Sequence, residues 1–288
     1  MIISRISGGL GNQMFQYAIG RALAIKNDTE LALDISSYHT DYHKSAPRSF
    51  ILDNFNIRAQ ILNLNASLMA KVERYLIKIV DRYKPINKRK YIIEETFEFS
   101  PAVLDAGPNI FISGVWQSEK YFQTIESDIR KEFTLKEPLS HESLKFDSII
   151  NANKESVSIH IRRGDYVSNT STLKKHGVCP PEYYAEAIEL IFKKLKTPKF
   201  FIFSDDIEYA QSIINTPETT YISSPKIPDY EELVLMSQCK HNILANSTFS
   251  WWGAWLNANH NKIVIAPKKW FTTVASTKDL IPENWIRI

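Results

Sequence analysis

Short apolar or alternating runs recur along most of the chain, and longer stretches with an apolar residue every three or four positions lie between them. In the first half the short runs predict strands over residues 2–6, 30–34 and 109–115. The helical spacing predicts helices over residues 61–80 and 119–133 and another after residue 13. A polar loop and a basic linker are predicted in this half over residues 36–48 and 84–90.

After residue 157 the pattern becomes a regular alternation of strands and helices. The predicted strands are residues 157–161, 200–203, 220–222, 242–244 and 262–265. The predicted helices are residues 181–195, 230–239 and 250–257, and one more that starts after residue 206. Such alternation predicts an α/β fold in which a parallel sheet is covered on both faces. A short helix over residues 143–150 joins the halves, so we predict domains at 1–150 and 151–288.

Length and charge narrow the functional classes. A chain of 288 residues suits two domains of ordinary size better than one core. A net charge of only +3 does not indicate a nucleic-acid-binding surface. The two cysteines are distant in sequence, so they indicate neither a disulfide framework nor a zinc site. The first apolar run is too short for a signal peptide or a membrane span. We therefore expect a cytoplasmic protein, which the basic linker could bring to the inner face of the membrane.

The densest candidate chemistry is the segment His-Ile-Arg-Arg-Gly-Asp, which starts at His160. Strand alternation puts His160 and Arg162 on one face. Arg162 and Arg163 at the carboxyl end of a strand can clamp a diphosphate, because a guanidinium matches phosphate oxygens and keeps its charge. The alternative is a structural pair of Arg163 with Asp165 that closes the turn.

A glycine-rich turn follows the first strand. Gly9 and Gly11 precede Asn12 and Gln13 at the start of a helix. This geometry lets backbone amides and a helix amino terminus face an anion. Asn12 and Gln13 can cap the helix or bind a ligand. The alternative is a tight turn in which the glycines only supply positive φ.

Two more predicted strands end in polar residues, at Asp205-Asp206 and at Asn246-Ser247-Thr248. Ligands of parallel sheets bind at such carboxyl ends. The hydroxyl-rich helix start can accept a phosphate, although Ser and Thr are equally natural N-caps. The two aspartates resemble a metal pair, but a helix start favours carboxylates as caps and no His or Cys is spaced to complete a site. The tryptophans that follow are expected in the core.

Together, the motifs GGLGNQMFQY from residue 8, QSEKYF from 117, HIRRGDY from 160, FSDD from 203 and KHNILANSTFSWWGAWL from 240 closely resemble the α-1,2-fucosyltransferases of glycosyltransferase family 11. They keep their order over nearly the whole chain. The resemblance implies a glycosyltransferase B type fold, with two Rossmann-like domains facing a central cleft. It also implies a GDP-L-fucose donor, a galactose-terminated oligosaccharide or lipid-linked glycan as acceptor, inversion at the anomeric carbon, and no metal or other cofactor.

The resemblance assigns site residues as well. Arg162 would neutralise the leaving diphosphate. Donor binding would fall to residues of both domains, namely Gly9, Gly11, Asn12, Gln13, His160, Arg163, Asp205, Glu232, Asn246, Ser247, Thr248 and Phe249. Glu232 stands where the wider group places a carboxylate for guanine, more often Asp; a solvated first-turn carboxylate is the alternative. Asp165 is the nearest candidate base. Because residues 167–170 lack the glutamate found in related enzymes, proton transfer to the departing phosphate stays open.

Three functions compete at this point. The first is an α-1,2-fucosyltransferase of surface polysaccharide, similar to O-antigen, and the second is a transferase of the same fold with another nucleotide sugar or linkage. The third is a non-catalytic protein that binds carbohydrate or nucleotide. Paired arginines near a hydroxyl-rich helix start disfavour a pure binder, which has no leaving group to neutralise.

Overall fold

The computed structural model describes residues 1–39, 48–64, 77, 79–81, 83–273 and 276–288, with backbone alone at 165, 168, 171 and 175. Its strands are β1 Ile2–Arg5, β2 Leu31–Asp34, β3 Gln60–Leu62, β4 Tyr91–Ile93, β5 Ile110–Ser113, β6 Ser156–Ile161, β7 Lys199–Ser204, β8 Thr219–Tyr221, β9 His241–Ile243, β10 Val264–Ala266 and β11 Ile286–Arg287. Its α-helices are α1 Leu10–Lys26, α2 Glu126–Glu132, α3 His141–Ala152, α4 Gly164–Ser168, α5 Thr170–His176, α6 Pro181–Lys194, α7 Ile207–Ile213, α8 Asp229–Gln238 and α9 Thr248–Leu256.

The chain divides into two compact units, and each holds one sheet. The first unit comprises Met1–Lys136 and Ser276–Leu280, and the second comprises Glu137–Ala275 and Ile281–Ile288. The first sheet has the order β3-β2-β1-β5-β4 and the second β11-β10-β9-β6-β7-β8. Every neighbouring pair is parallel. The predicted α/β class with two Rossmann-like parallel sheets is confirmed.

The second sheet is covered on both faces, as its apolar runs predicted. Ile159 of β6 and Ile202 of β7 pack in one buried cluster with Tyr184 of α6. Phe203, which is next to Ile202 and therefore on the opposite face, packs in another with Met236 of α8. Trp251 and its neighbouring tryptophans in α9 are buried, which confirms their place in the core.

The division between the units differs from the predicted boundary at residue 150. Helix α3 belongs to the second unit, because Ile150 is fully buried in the same cluster as Phe203. The residue that caps α3 is also tied to α8: Glu231 accepts hydrogen bonds from the backbone N–H of Ser140 at 3.1 Å and from its hydroxyl at 2.6 Å. In the opposite direction, Asp279 belongs to the first unit.

Some first-half elements differ from the prediction. Residues 61 and 62, predicted as helix, lie in β3, while residues 65–76 and 78 of that predicted helix lie outside the described residues. The predicted helix over 119–133 consists of two 3-10 turns followed by α2. Strands β3 and β4 were missed, since each has three residues and carries no extended apolar run.

No helix in the described part of the chain is both long enough and apolar enough to cross a bilayer.

Candidate active site

The two arginines that follow β6 both meet the aspartates that follow β7. The register aligns Ile161 with Ser204, so the next residues of each strand fall side by side. The Nη1 atom of Arg162 lies 2.8 Å from Oδ2 of Asp205, and these side chains are 21% and 24% exposed. The other carboxylate oxygen of Asp205 accepts the backbone N–H of Arg163 at 2.8 Å. Asp205 therefore fixes both the first arginine and the turn.

Arg163 has a separate partner. Its Nε donates to Oδ2 of Asp206 at 3.1 Å, and its guanidinium carbon lies 3.7 Å from the centre of the Tyr209 ring. Asp206 also caps α7, with Oδ1 accepting the backbone N–H of Tyr209 at 3.0 Å. The predicted capping by an aspartate of this pair is confirmed. The alternative partner of Arg163, Asp165, has its side chain outside the described residues.

Gly164 makes the contact of Asp205 possible. A Cβ atom at residue 164 would lie 2.5 Å from Oδ2 of Asp205, closer than real side chains approach. A side chain at this position would therefore displace the Asp205 carboxylate. The turn leaves room for a carboxylate only because no side chain projects from Gly164.

The hydroxyl-rich turn starts α9. Ser247 is the N-cap, and its hydroxyl accepts the backbone N–H of Phe249 at 3.3 Å. The capping alternative for Ser247 is therefore confirmed, and the Phe249 amide already has a partner. Thr248 is the first residue of the helix and is half-buried. The positive end of this nine-residue helix is directed at the same edge of the sheet as the arginines.

Tyr166 links Arg162 to this helix start. The guanidinium carbon of Arg162 lies 5.6 Å from the centre of the Tyr166 ring, and the Tyr166 hydroxyl donates to the carbonyl of Asn246 at 3.2 Å. On the other side, the His160 and Phe249 rings are 5.6 Å apart. The structure thus brings Arg162, His160 and the start of α9 to one place.

The Asn246 side chain is used inside the protein. It is buried, and its amide nitrogen donates to the carbonyls of His176 at 2.8 Å and Trp270 at 3.2 Å. Its oxygen faces the thiol of Cys179 at 3.6 Å. This amide ties three loops together next to Ser247, so the structure gives it a positioning function; direct contact with the donor stays a prediction.

His160 is held neutral. Burial, reinforced by the charge of Arg162, lowers the pKa of His160 to about 3. Among the described residues its Nδ1 has no hydrogen-bond partner. A neutral imidazole beside Arg162 can donate or accept one hydrogen bond without adding charge.

Glu232 is connected to the end of β7 by the hydroxyl of Ser223. The Ser223 hydroxyl accepts the backbone N–H of Ser204 at 2.9 Å and is hydrogen-bonded to the Glu232 carboxylate. Burial, with smaller contributions from Asp229 and Asp205, raises the pKa of Glu232 to about 8. A carboxyl group in this state is costly to ionise unless a ligand supplies hydrogen-bond donors.

The glycine-rich turn of the first unit is only partly as predicted. Gly8 has a φ of +79°, as the tight-turn alternative requires, whereas Gly9 is extended at −78° and caps α1. Gln13 is fully buried: its nitrogen donates to the Ser49 carbonyl at 2.8 Å, and its oxygen accepts from Ile51 at 3.0 Å. Gln13 thus holds a neighbouring loop, while Asn12 is less buried and contacts Gln117. Gly11 lies inside α1.

Sequence reasoning missed Tyr166, Tyr209 and Ser223 as parts of the site. In the structure Tyr166 and Tyr209 each lie against one of the arginines. Their closeness in sequence to Arg162 and Asp206 was the only feature that could have indicated them. Ser223 gave no such indication, because its contact with Glu232 depends on where β8 ends.

The carboxyl edge of the second sheet offers two guanidiniums, a helix amino terminus and a carboxyl group. This combination suits a phosphorylated ligand that also carries N–H donors.

Comparisons with known proteins agree with that chemistry. A family model described as Glycosyl transferase family 11 matches residues 1–288. Two Escherichia coli proteins are 34% identical: an alpha-1,2-colitosyltransferase, covering 100% of this chain and 99% of its own, and the O-antigen biosynthesis glycosyltransferase WbnK, covering 99% of each. A mouse galactoside 2-alpha-L-fucosyltransferase, Sec1, is 25% identical over 100% of this chain and 74% of its own length.

One solved structure gives the fold. The fucosyltransferase NodZ from Bradyrhizobium matches with a TM-score of 0.50 and 14% identity, over 88% of this chain and 92% of that chain. At this identity the likeness concerns architecture alone. It places the two parallel sheets in the glycosyltransferase B type of fold.

Proposed function

The chain belongs to glycosyltransferase family 11, and from this we propose that it is an inverting α-1,2-fucosyltransferase. The donor is GDP-β-L-fucose and the acceptor is the 2-hydroxyl of a terminal galactoside, on an oligosaccharide or a lipid-linked glycan. The linkage is supported by the name of a relative that is 34% identical, an alpha-1,2-colitosyltransferase. A function in surface polysaccharide is supported by the O-antigen relative.

The observation that carries the proposal is the convergence of Arg162, Arg163 and the start of α9 on one edge of the second sheet. Arg162 and the helix start are linked by Tyr166, whose ring lies near the guanidinium and whose hydroxyl reaches Asn246. A guanidinium has five N–H donors, so it can serve a carboxylate and a phosphate together. The two guanidiniums and the helix amino terminus are the groups needed to bind a diphosphate as it leaves.

The reaction breaks the bond between the anomeric carbon and the β-phosphate oxygen and forms one from that carbon to the acceptor oxygen. The electron pair of the broken bond stays on the phosphate, so negative charge grows there and Arg162 stabilises it. The acceptor proton goes to Asp165 or to the departing phosphate. In both cases the products are GDP and an α-linked glycoside.

We propose that no metal takes part. The carboxylates best placed to bind one, Asp205 and Asp206, are already paired with Arg162 and Arg163. Cationic side chains can neutralise the leaving diphosphate in place of a divalent ion. Removal of divalent ions should therefore leave the rate unchanged.

Guanine would be recognised by Glu232. The base offers two adjacent N–H donors, which match the two oxygens of a carboxylate, and ionisation of Glu232 is made easier when they bind. Ser223 holds the carboxyl group in position. The donor nucleotide would then run from Glu232 to the arginines along the ends of β8, β7 and β6.

A second candidate keeps the linkage and changes the sugar. The colitosyltransferase relative is more similar to this chain than the mouse fucosyltransferase, at 34% against 25% identity. Colitose is fucose without its 3-hydroxyl. An enzyme that hydrogen-bonds this hydroxyl would strongly prefer fucose, whereas one that packs an apolar group there would not.

Location is proposed from the same relatives and from the basic segment. We place the enzyme in the cytoplasm with peripheral contact to the membrane. Tyr83 is 87% exposed, and the exposed Lys88 and Lys90 follow it within seven residues of the sequence, so an apolar ring and cationic groups of one segment are available to an anionic surface. Sedimentation with anionic and with neutral vesicles tests this contact.

The decisive experiment offers GDP-fucose and GDP-colitose with a panel of β-galactosides, in the presence of EDTA, and identifies the products by mass spectrometry and NMR. The proposal expects an α-1,2-fucosyl galactoside and equimolar GDP. Faster transfer of colitose would move the assignment to the second candidate. Loss of all activity on chelation, with recovery on adding a divalent ion, would contradict the metal-independent mechanism.

A further inference from the structure

Two consecutive residues of the first unit bury polar atoms without partners. Gln117 is 6% exposed and Trp116 is 1% exposed. Within the described part of the chain, neither Oε1 of Gln117 nor Nε1 of Trp116 makes a hydrogen bond. Buried polar atoms are nearly always paired, because an unpaired one keeps the cost of leaving water. Two such atoms on consecutive residues mark this turn as a candidate ligand site.

The surrounding glutamines show that this is not a general property of the region. The amide groups of Gln13 and Gln16 are also buried, and both the oxygen and the nitrogen of each are hydrogen-bonded to the protein. Gln117 differs because only its nitrogen is used, in a 3.0 Å bond to Oδ1 of Asn12. The packing of this region is able to satisfy an amide completely, yet leaves this one half satisfied.

The turn that presents these atoms is held in a strained form. Trp116 has a φ of +54°, a conformation that L-residues other than glycine seldom adopt. The Glu94 carboxylate maintains it by accepting the backbone N–H groups of Val115 at 2.6 Å and Trp116 at 3.0 Å. Strain of this kind is found where a side chain must be aimed at a ligand.

The position suits a ligand site. The turn follows β5, which pairs with β1, and the contact with Asn12 joins it to the first turn of α1. Both features lie at the carboxyl edge of the first sheet, where parallel sheets bind ligands.

The chemistry favours hydroxyl groups over a phosphate. The Gln117 oxygen requires a donor, and the Trp116 nitrogen requires an acceptor. A hydroxyl group supplies either, and a sugar ring carries neighbouring hydroxyls. A fully ionised phosphate has no hydrogen to donate to the oxygen of Gln117, so it would leave that oxygen unpaired.

We propose that Gln117 is a specificity-determining residue that binds one hydroxyl of the acceptor sugar in the first unit. This rests on the proposed function for the identity of the acceptor as a galactoside. The Gln117 oxygen accepts the sugar hydroxyl, Asn12 fixes the amide orientation, and the Trp116 indole donates to a second oxygen of the ring.

The test measures binding of methyl β-galactoside and its singly deoxygenated derivatives by NMR titration, with no donor nucleotide present. Gln117→Met, which keeps the shape of the side chain, should weaken binding about tenfold, the equivalent of one neutral hydrogen bond. One deoxy derivative should bind the natural protein about tenfold more weakly than methyl β-galactoside does. That derivative and methyl β-galactoside should bind Gln117→Met with equal affinity. The control is Gln123→Met, because Gln123 is an exposed glutamine of the same unit.

Stability separates this function from a structural one. Gln117→Met removes a buried acceptor that has no partner and, with it, the single hydrogen bond to Asn12, so these two effects oppose each other and the melting temperature should change little while affinity falls. Gln117→Glu retains an acceptor oxygen and should bind more tightly than Gln117→Met. The inference would be overturned if both variants bound methyl β-galactoside as tightly as the natural protein, or if the natural protein did not bind it at all. It would also be overturned if every deoxy derivative lost as much affinity for Gln117→Met as for the natural protein. Normal galactoside binding without turnover of GDP-fucose would reject the proposed function alone.

Discussion

The guanidinium of Arg162 is held by the carboxylate of Asp205, with 2.8 Å between Nη1 and Oδ2. The same aspartate holds the backbone of the next residue. In the proposed mechanism the arginine is therefore in place before the diphosphate binds, and it needs little rearrangement when charge develops there. Preorganisation of this type is the main source of electrostatic catalysis.

Replacing Arg162 with alanine should lower kcat by about a hundredfold or more, because the growing charge on the leaving phosphate loses its partner. Arg162→Lys should recover part of the rate, since it restores charge without the planar fork. Steady-state kinetics with the donor varied would measure both. A change limited to KM for Arg162→Ala would remove this residue from the stabilisation of the leaving group.

Replacing Gly164 with alanine should disturb the site through Asp205. The added methyl group would lie 2.5 Å from Oδ2 and would push the carboxylate away from Arg162. We expect kcat over KM for the donor to fall by roughly tenfold, with most of the loss in kcat. The matched test is a double-mutant cycle with Asp205→Ala: the glycine substitution should cost little when the carboxylate is absent. Fully additive losses would show that Gly164 acts in another way.

Glu232 should make the stability of the folded protein fall as pH rises. Its pKa is about 8 in the folded protein against an ordinary value of 4.5, so the folded state binds more protons between these values. The free energy of unfolding therefore decreases through that window, and Glu232→Gln should flatten the decrease. Urea unfolding between about pH 5 and about pH 9 measures the slope.

The same carboxyl group predicts a proton effect on binding. GDP should release a proton near neutral pH, because guanine donors favour the ionised form of Glu232. Calorimetry in buffers of different ionisation heat would measure it, with Glu232→Gln as the control. Equal proton release by both proteins would exclude Glu232 as the guanine ligand.

Asn246→Ala should destabilise the second unit. The substitution removes hydrogen bonds to the carbonyls of His176 and Trp270, both from a buried amide, and should cost roughly 2–4 kcal/mol of unfolding free energy. Asn151→Ala, at an exposed position of α3, is the control. If Asn246→Ala melts like the natural protein yet binds GDP poorly, the side chain contacts the donor directly.

The positions of the site residues were predictable because of one general property of parallel sheets. Arg162, Asp205 and Ser247 each follow a strand of the second half, so their convergence required only that the strands be recognised and paired. Their exact partners were not predictable. Whether Arg163 meets Asp165 or Asp206 depends on the register of β6 with β7, which aligns Ile161 with Ser204 and is set by packing.

Other features were not predicted, because the contacts that cause them are distant in sequence. Gln13 stands in a glycine-rich turn that is typical of ligand binding, yet its side-chain amide is hydrogen-bonded to the loop around Ser49. That loop is distant in sequence, so its need for an amide leaves no local pattern. Strands β3 and β4 are edge strands of only three residues, so their apolar residues form runs too short to mark a strand in the sequence.

The return of residues 276–280 to the first unit has a practical consequence for building hybrid enzymes. Asp279 accepts the Lys120 ammonium at 2.7 Å and the Phe99 backbone N–H at 3.0 Å. A single crossover near residue 136 would exchange that aspartate together with the second unit. The Lys120 ammonium and the Phe99 N–H of the recipient would then lose their partner. Chimaeras made with two junctions, so that this pentapeptide travels with its own amino-terminal partner, should fold where one-junction chimaeras lose yield.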